Sequence, residues 1–233
     1  MLDQAFETLK KFDFGTPLTE VAAIEDAVVA AHKDPAICKE IEQRLIAALG
    51  AAGLSRDAKD YVCRKLAMCG SATAVPALSA LLSSEENAHL ARHALERIPG
   101  PEASQAVVAA LPKLTGKLKL GAIASLGVRR EPTAIAALTG LLTDADAAVV
   151  RASTLALGVI GGAAAVTALR STLTAAKGNP SLLVDSLLSC AESMLASNQV
   201  TDATAIYQTL DAESQPRIVR LAATRGLLAC ASK

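Results

Sequence analysis

The sequence predicts an all-α solenoid, in which antiparallel helix pairs stack side by side and bury their apolar faces on one another. Three observations predict it. Hydrophobic residues make up 52% of the 233 residues and aromatic ones only 2%, so the core must be built from Ala, Leu, Val and Ile, which suit closely packed helices better than strands. Four consecutive stretches, opening at Ala58, Ala88, Lys117 and Ala147, share one pattern at a nearly constant period. Each stretch carries an apolar pair four residues apart: Leu78 and Leu82, Val107 and Leu111, Leu138 and Leu142, Leu169 and Leu173. That spacing puts both members of a pair on one helix face.

In chain order, a first helix is expected over residues 2–11. The first pair, residues 17–52, is read from "LTEVAAIEDAVVAAHKD" and "DPAICKEIEQRLIAALG", the second opening with Asp34 as N-cap and Pro35 in the first turn. Leu45 and Leu49 are its anchors. Units follow at 55–87, 88–116, 117–146 and 147–178, divided by Gly70 and Ser71, Pro99 to Pro101, Arg129 to Pro132, and Gly161 and Gly162. Glycine supplies a left-handed residue that ends a helix, and proline fits the first turn of the next. Ser84 and Asp144 are placed to cap the helices after the joints. A sixth pair, 179–213, starts at Asn179 and Pro180 and is anchored by Ile206 and Leu210; a terminal helix over 215–231 has no second helix. The expectation is one repeat domain of about six pairs plus terminal helices, roughly fourteen helices in all, consistent with a piece of a larger protein.

Net charge is zero, with 23 basic and 23 acidic residues. The densest basic stretch, Lys113 to Arg130, holds five, and nucleic acid is not expected as a partner because phosphate binding needs a concentrated basic face. The five cysteines, Cys38, Cys63, Cys69, Cys190 and Cys230, form no CxxC pair and fall among apolar residues, which predicts buried free thiols rather than a zinc site or a disulfide framework. Apolar stretches are interrupted too often to span a bilayer. Asp3, Glu7, Lys10 and Lys11 exclude a signal peptide at the start as it stands. The cytoplasm is the expected compartment, or the periplasm or export if a signal has been removed.

The stretch "LTDADAAVVRASTLALGVIGG" resembles the HEAT repeat, and more closely its short bacterial form, the phycobilisome-lyase HEAT-like repeat. Asp144, Val150, Arg151, Ala156, Leu157, Gly158 and Gly161 stand where that pattern has its acidic cap, its Val-Arg pair and its Ala-Leu-Gly ending, and Val219 and Arg220 repeat the pair near the end. The unit at Ala88 has no Asp cap, and that at Lys117 lacks the Val-Arg pair. The resemblance covers residues 17–231 and implies a right-handed α-α superhelix, an armadillo-like helical array. The middle of the chain also resembles HEAT arrays in large exported bacterial proteins of unassigned role.

HEAT-type solenoids display their second helices on the concave side, and the period identifies which residues would point there. Counting from each first anchor at 100° per residue, positions two before, two after and five after lie opposite the core. They include Gln43, Pro76, Gln105, Thr167 and Thr204, then Ser171 and Gln208, with Ala47, Ala80, Ala109, Ala136 and Gly140; of the eighteen only Asp211 is charged. Thr139 joins this groove. Arg170 and Tyr207, one residue past their anchors on its border, are candidate partner anchors. Charges gather instead on first helices, as in Arg56, Asp57, Lys59, Asp60, Arg64 and Lys65. The expected role is a non-catalytic scaffold, monomeric, whose weakly charged groove accepts a peptide or helix at low desolvation cost.

HEAT-like hydroxylases of a modified lysine carry His-Glu pairs as iron ligands, whereas His32 precedes Lys33, His89 precedes Leu90 and His93 precedes Ala94. HEAT-like DNA glycosylases need a basic, aromatic groove, which this one is not. No Gly-x-Ser-x-Gly elbow occurs. Bilin lyases share the repeat and have no short signature, so a chromophore-handling protein is one alternative and an accessory domain of a larger exported enzyme another. His89 and His93, with Glu85, Glu86 and Glu96, recur at helical spacing and are the weak metal candidates; a firm site needs a third ligand and a bonded surround. No cofactor is expected.

Overall fold

The computed structural model describes residues 1–31, 34–175 and 180–233, and every regular element in them is helical. The α-helices are α1 (Leu2–Leu9), α2 (Ala22–Ala31), α3 (Pro35–Leu49), α4 (Arg56–Cys69), α5 (Val75–Ser79), α6 (Ala88–Leu95), α7 (Glu102–Ala110), α8 (Gly116–Arg129), α9 (Ile135–Gly140), α10 (Ala147–Ile160), α11 (Gly162–Thr174), α12 (Pro180–Ala196), α13 (Val200–Leu210) and α14 (Arg217–Ala231). From α2 onward they alternate as first and second members of pairs. Short 3-10 turns lead into α2, α5 and α9 and extend α7 and α9.

The described residues form two compact units, Met1–Ser125 and Leu126–Lys233. In the first, α2 packs on α3 and α4, α4 on α6, and α5 on α7. Its largest fully buried side chains include Leu9, Ile24, Ile41, Leu45, Leu66, Leu78 and Leu95. Each such aliphatic side chain contributes roughly 1.5–3 kcal/mol by leaving water. In the second unit α10 packs on α12, α12 on both α13 and α14, and α11 on α9. First helices thus stack on first helices and second on second. The anchors Leu45, Leu78, Val107, Leu138 and Leu169 are all wholly buried, as the shared register requires. Leu173, in the last turn of α11, is half-buried.

The local signals act as follows. Asp34 accepts the Ala36 N–H at 2.8 Å, with Pro35 in the first turn of α3. The cap of α10 lies two residues beyond the expected one: Asp146 accepts the Ala148 N–H at 2.8 Å, while Asp144 accepts the Asp146 N–H at 2.9 Å and so shapes the turn. Gly161 ends α10 with φ 71, as a left-handed terminator should. Gly70 does not: its backbone is extended at φ −73, ψ 150, and what it provides is room, since a Cβ there would run into the Leu66 carbonyl oxygen and press on Ile98 Cδ1 at 3.2 Å. Asn179 lies outside the described residues.

One buried charge helps fix the turn between α4 and α5. Glu42 of α3 is 4% exposed, and its carboxylate accepts the Ser71 N–H at 2.6 Å and the Ser71 hydroxyl at 2.8 Å. It satisfies backbone and side-chain donors at the start of the 3-10 turn that leads into α5.

Candidate functional site

The second helices of each unit turn an apolar edge inward and a small, neutral face outward. Of the eighteen positions opposite the anchors, all but Thr204 and Asp211 are exposed, and those two are half-buried. Gln43, Pro76 and Gln105 belong to the first unit; Thr139, Thr167, Ser171 and Gln208 belong to the second, and all seven are exposed. The threonines share one habit. Thr139, Thr167, Thr174 and Thr204 each donate their hydroxyl to the carbonyl four residues back, at 2.8–2.9 Å. With that donor engaged, the side chain offers outward a methyl and an oxygen lone pair. Such a face is neutral and cheap to desolvate.

Two of the expected groove residues do other work. Tyr207 is 3% exposed: its ring turns away from the outer face and packs against Gly226 of α14, where only a glycine leaves space for it. Burial, with Glu192 and the Cys230 thiol as further causes, raises its pKa above the ordinary phenol value. The helical wheel puts Tyr207 on the groove border, but a wheel cannot tell which neighbour such a residue reaches. The signal was the lone glycine inside "LAATRGLLACA". Arg170 is half-buried and its Nη2 donates to the Ala205 carbonyl at 3.0 Å and to Thr209 Oγ1 at 2.9 Å, joining α11 to α13. Its Nε is buried without a hydrogen-bond partner among the described residues. Both side chains are parts of the packing in this unit.

The histidine stripe sits on α6 and is flanked by cations. His89 Nε2 lies 3.3 Å from Arg56 Nη2, and a cavity of about 330 Å³ brings His89 and His93 together with Arg64, Arg92 and Glu96. The Glu96 carboxylate accepts the Ser125 hydroxyl at 2.6 Å. Burial lowers the pKa of Arg92, with Glu96 opposing. The Arg56 guanidinium beside His89 disfavours a metal cation there on electrostatic grounds, while the carboxylates of Asp60 and Glu96 share the cavity lining with Arg64 and Arg92. Among the described residues no group of three or more His, Cys, Asp or Glu side chains is arranged to hold a metal ion. All five cysteines are free thiols, buried except for the half-buried Cys38, whose Sγ donates to the Cys69 carbonyl at 3.5 Å. No described helix is long and apolar enough to cross a membrane.

Periodicity gave no notice of a cluster in the first unit. Phe12 and Phe14, in the loop after α1, and Tyr61 of α4 line a common cavity of about 660 Å³. Tyr61 is far in sequence from the two phenylalanines, which lie outside the repeat register. Their scarcity was the usable signal, since the chain has only three Phe and two Tyr.

A family model described as HEAT repeats matches residues 113–180. Among solved structures, human deoxyhypusine hydroxylase in complex with glycerol is similar over 100% of this chain and 96% of its own, at 17% identity and a TM-score of 0.39. An engineered protein is similar over 97% of this chain and 68% of its own, at 21% identity and a TM-score of 0.43. Comparison with curated proteins finds no match. The matched repeat and the stacked helix pairs, with no strand among the described residues, give the chain a HEAT-like all-α solenoid fold.

Proposed function

We propose that the chain is a non-catalytic scaffold whose units present the outer faces of their second helices to a peptide or helix of a protein partner. The observation that supports this reading is the contrast between faces: sixteen of the eighteen outward positions on second helices are exposed, and the single charge among them, Asp211, is half-buried. Charges are more numerous on the first helices, α3 with Lys39, Glu40, Glu42 and Arg44 being the exception among the second ones. A surface of methyl, amide and hydroxyl groups surrenders little hydration on contact, so partner affinity rests on shape and on a few well-placed side chains. It also lacks the Lys and Arg density that a nucleic-acid partner would need. We further take the repeats to be of the short bacterial type, on the strength of Val150, Arg151 and the Ala156 to Gly158 ending.

A photo-crosslinking amino acid placed at Gln105 or Thr167, and for comparison at Arg97 in the turn after first helix α6 or at Arg151 on first helix α10, tests the reading in the cell of origin. All four positions are exposed. Protein adducts should form from Gln105 and Thr167 and be scarce from the other two. Equal yields from both faces, or none from the second helices, would count against the scaffold.

A further inference from the structure

We propose that the first unit carries a second, chemically distinct docking site: a pocket beside the loop after α1 that takes a peptide segment bearing a basic side chain next to an apolar one. This goes beyond the neutral faces of the second helices and does not depend on them.

The cavity is bounded by the loop after α1, the approach to α2, and α4. Its volume, about 660 Å³, falls within the range of sites that hold small ligands or a few side chains. Phe12 and Tyr61 form the floor, their centroids 5.7 Å apart and their planes inclined at 41°. Tyr61 is tied in place by its hydroxyl, which donates to the Val21 carbonyl at 3.3 Å. At the mouth stand two large apolar side chains in water, Phe14 at 96% exposure and Leu18 at 66%. The loop that presents Phe14 is held: Asp13 Oδ1 accepts the Phe14 N–H at 2.9 Å, Thr16 Oγ1 accepts the Asp13 N–H at 3.1 Å, and Ser55 donates its hydroxyl to the Phe12 carbonyl at 2.5 Å. An incoming apolar side chain would shield Phe14 and Leu18 over an already buried floor, at little cost in loop ordering.

Charge selects what accompanies that side chain. The walls carry the carboxylates Asp13, Glu25, Asp57 and Asp60 against the cations Arg64 and Lys65. Lys65 pairs with Glu25, and Arg64 Nε donates to Asp60 at 2.8 Å. Asp13 makes no ion pair among the described residues, and Asp57 has only a 3.9 Å pair with Arg56, whose side chain lies outside the lining. A chain of zero net charge thus has a pocket lined by more carboxylates than cations; Lys65 Nζ already faces the Tyr61 ring at 5.0 Å, so it is the carboxylates that draw an incoming cation and repel an acidic segment.

The test uses the full chain and two labelled octapeptides, one alternating lysine with leucine or phenylalanine and the other with glutamate at every lysine position, followed by fluorescence polarisation. The lysine peptide should bind at least tenfold more tightly than the glutamate one. Phe14→Ala combined with Leu18→Ala should weaken it at least fivefold, and Asp13→Asn combined with Asp57→Asn should weaken it and flatten its dependence on salt. Unchanged far-ultraviolet circular dichroism and melting temperature identify these as surface effects. Equal binding of the two peptides, or binding of the lysine peptide that both double variants leave unaltered, would overturn the proposal.

Discussion

The Tyr207 ring rests on the backbone of Gly226, so a methyl added at that glycine would fall 2.6 Å from Tyr207 Cδ1 and nearer still to Cε1 and Cζ. Alanine favours a helix interior over glycine by about 1 kcal/mol, but overpacking costs roughly 1–3 kcal/mol where the neighbour cannot retreat. The ring is buried on all sides, so the second effect wins. Gly226→Ala should lower stability despite the better helix former, and Tyr207→Ala should cost about 3–5 kcal/mol. Denaturant unfolding checks the sign, and faster hydrogen exchange confined to α14 would identify the contact.

A second close approach gives opposite signs from adjoining positions. Gly158 of α10 would place a Cβ 2.9 Å from Ser186 Cβ and 3.0 Å from Ser186 Cα in α12, and backbone yields less readily than a side-chain tip. Gly158→Ala should destabilise by about 1–3 kcal/mol. The Ser186 hydroxyl is buried without a partner among the described residues, so Ser186→Ala removes an unsatisfied polar group and should stabilise by about 1 kcal/mol. Thermal melts of the two variants, made separately, should move in opposite directions.

Glu42 offers a test of the buried carboxylate. Glu42→Ala removes the acceptor of the Ser71 N–H and leaves the hydroxyl only Thr73 Oγ1 at 3.2 Å, and should cost about 1.5–3 kcal/mol, the range for hydrogen bonds to a charged group. Ser71→Ala should cost less, because the backbone bond survives. A double-mutant cycle on the pair should return a coupling energy of at least about 0.5 kcal/mol.

Alkaline pH should weaken the fold through its thiols. Burial, reinforced by Asp60, pushes Cys63 up to about 12, and burial pushes Cys190 up to about 11, from an ordinary value of 9.0. Below pH 9 both states are protonated and the stability is intact. Above it the unfolded chain ionises first and binds fewer protons, so stability falls as pH rises from 9 towards 11 and 12. Urea midpoints at pH 8 and pH 10.5 should differ more for the wild type than for Cys63→Ala combined with Cys190→Ala.

The fold was legible because its information is periodic. Leu78, Leu138 and Leu169 recur at matched positions, and a repeat forces equivalent residues into equivalent surroundings, so one correct register places them all. Helix ends were read less accurately. Asp144 and Asp146 both offer a carboxylate near the same joint, and only the path of the turn decides which of them faces the free N–H groups. The candidate site was legible as an outward face, but Arg170 and Tyr207 were misread as available to a partner. Each is long enough to reach an adjacent helix, and its destination is set by small groups on that helix, the Ala205 carbonyl and Gly226, which a pattern confined to one helix does not register. The cavity at Phe12, Phe14 and Tyr61 was illegible for the complementary reason: it joins a loop to a repeat.

Helices α5 and α9 contain five and six residues, far short of the ~12–15 a helix needs to persist alone in water. Neither can be a seed. Each depends on the helices packed beside it, α6 and α7 for α5 and the fourteen-residue α10 for α9, so neither can persist before those neighbours do. During synthesis α5 therefore has no lasting shape until α6 and α7, which flank it, have left the ribosome.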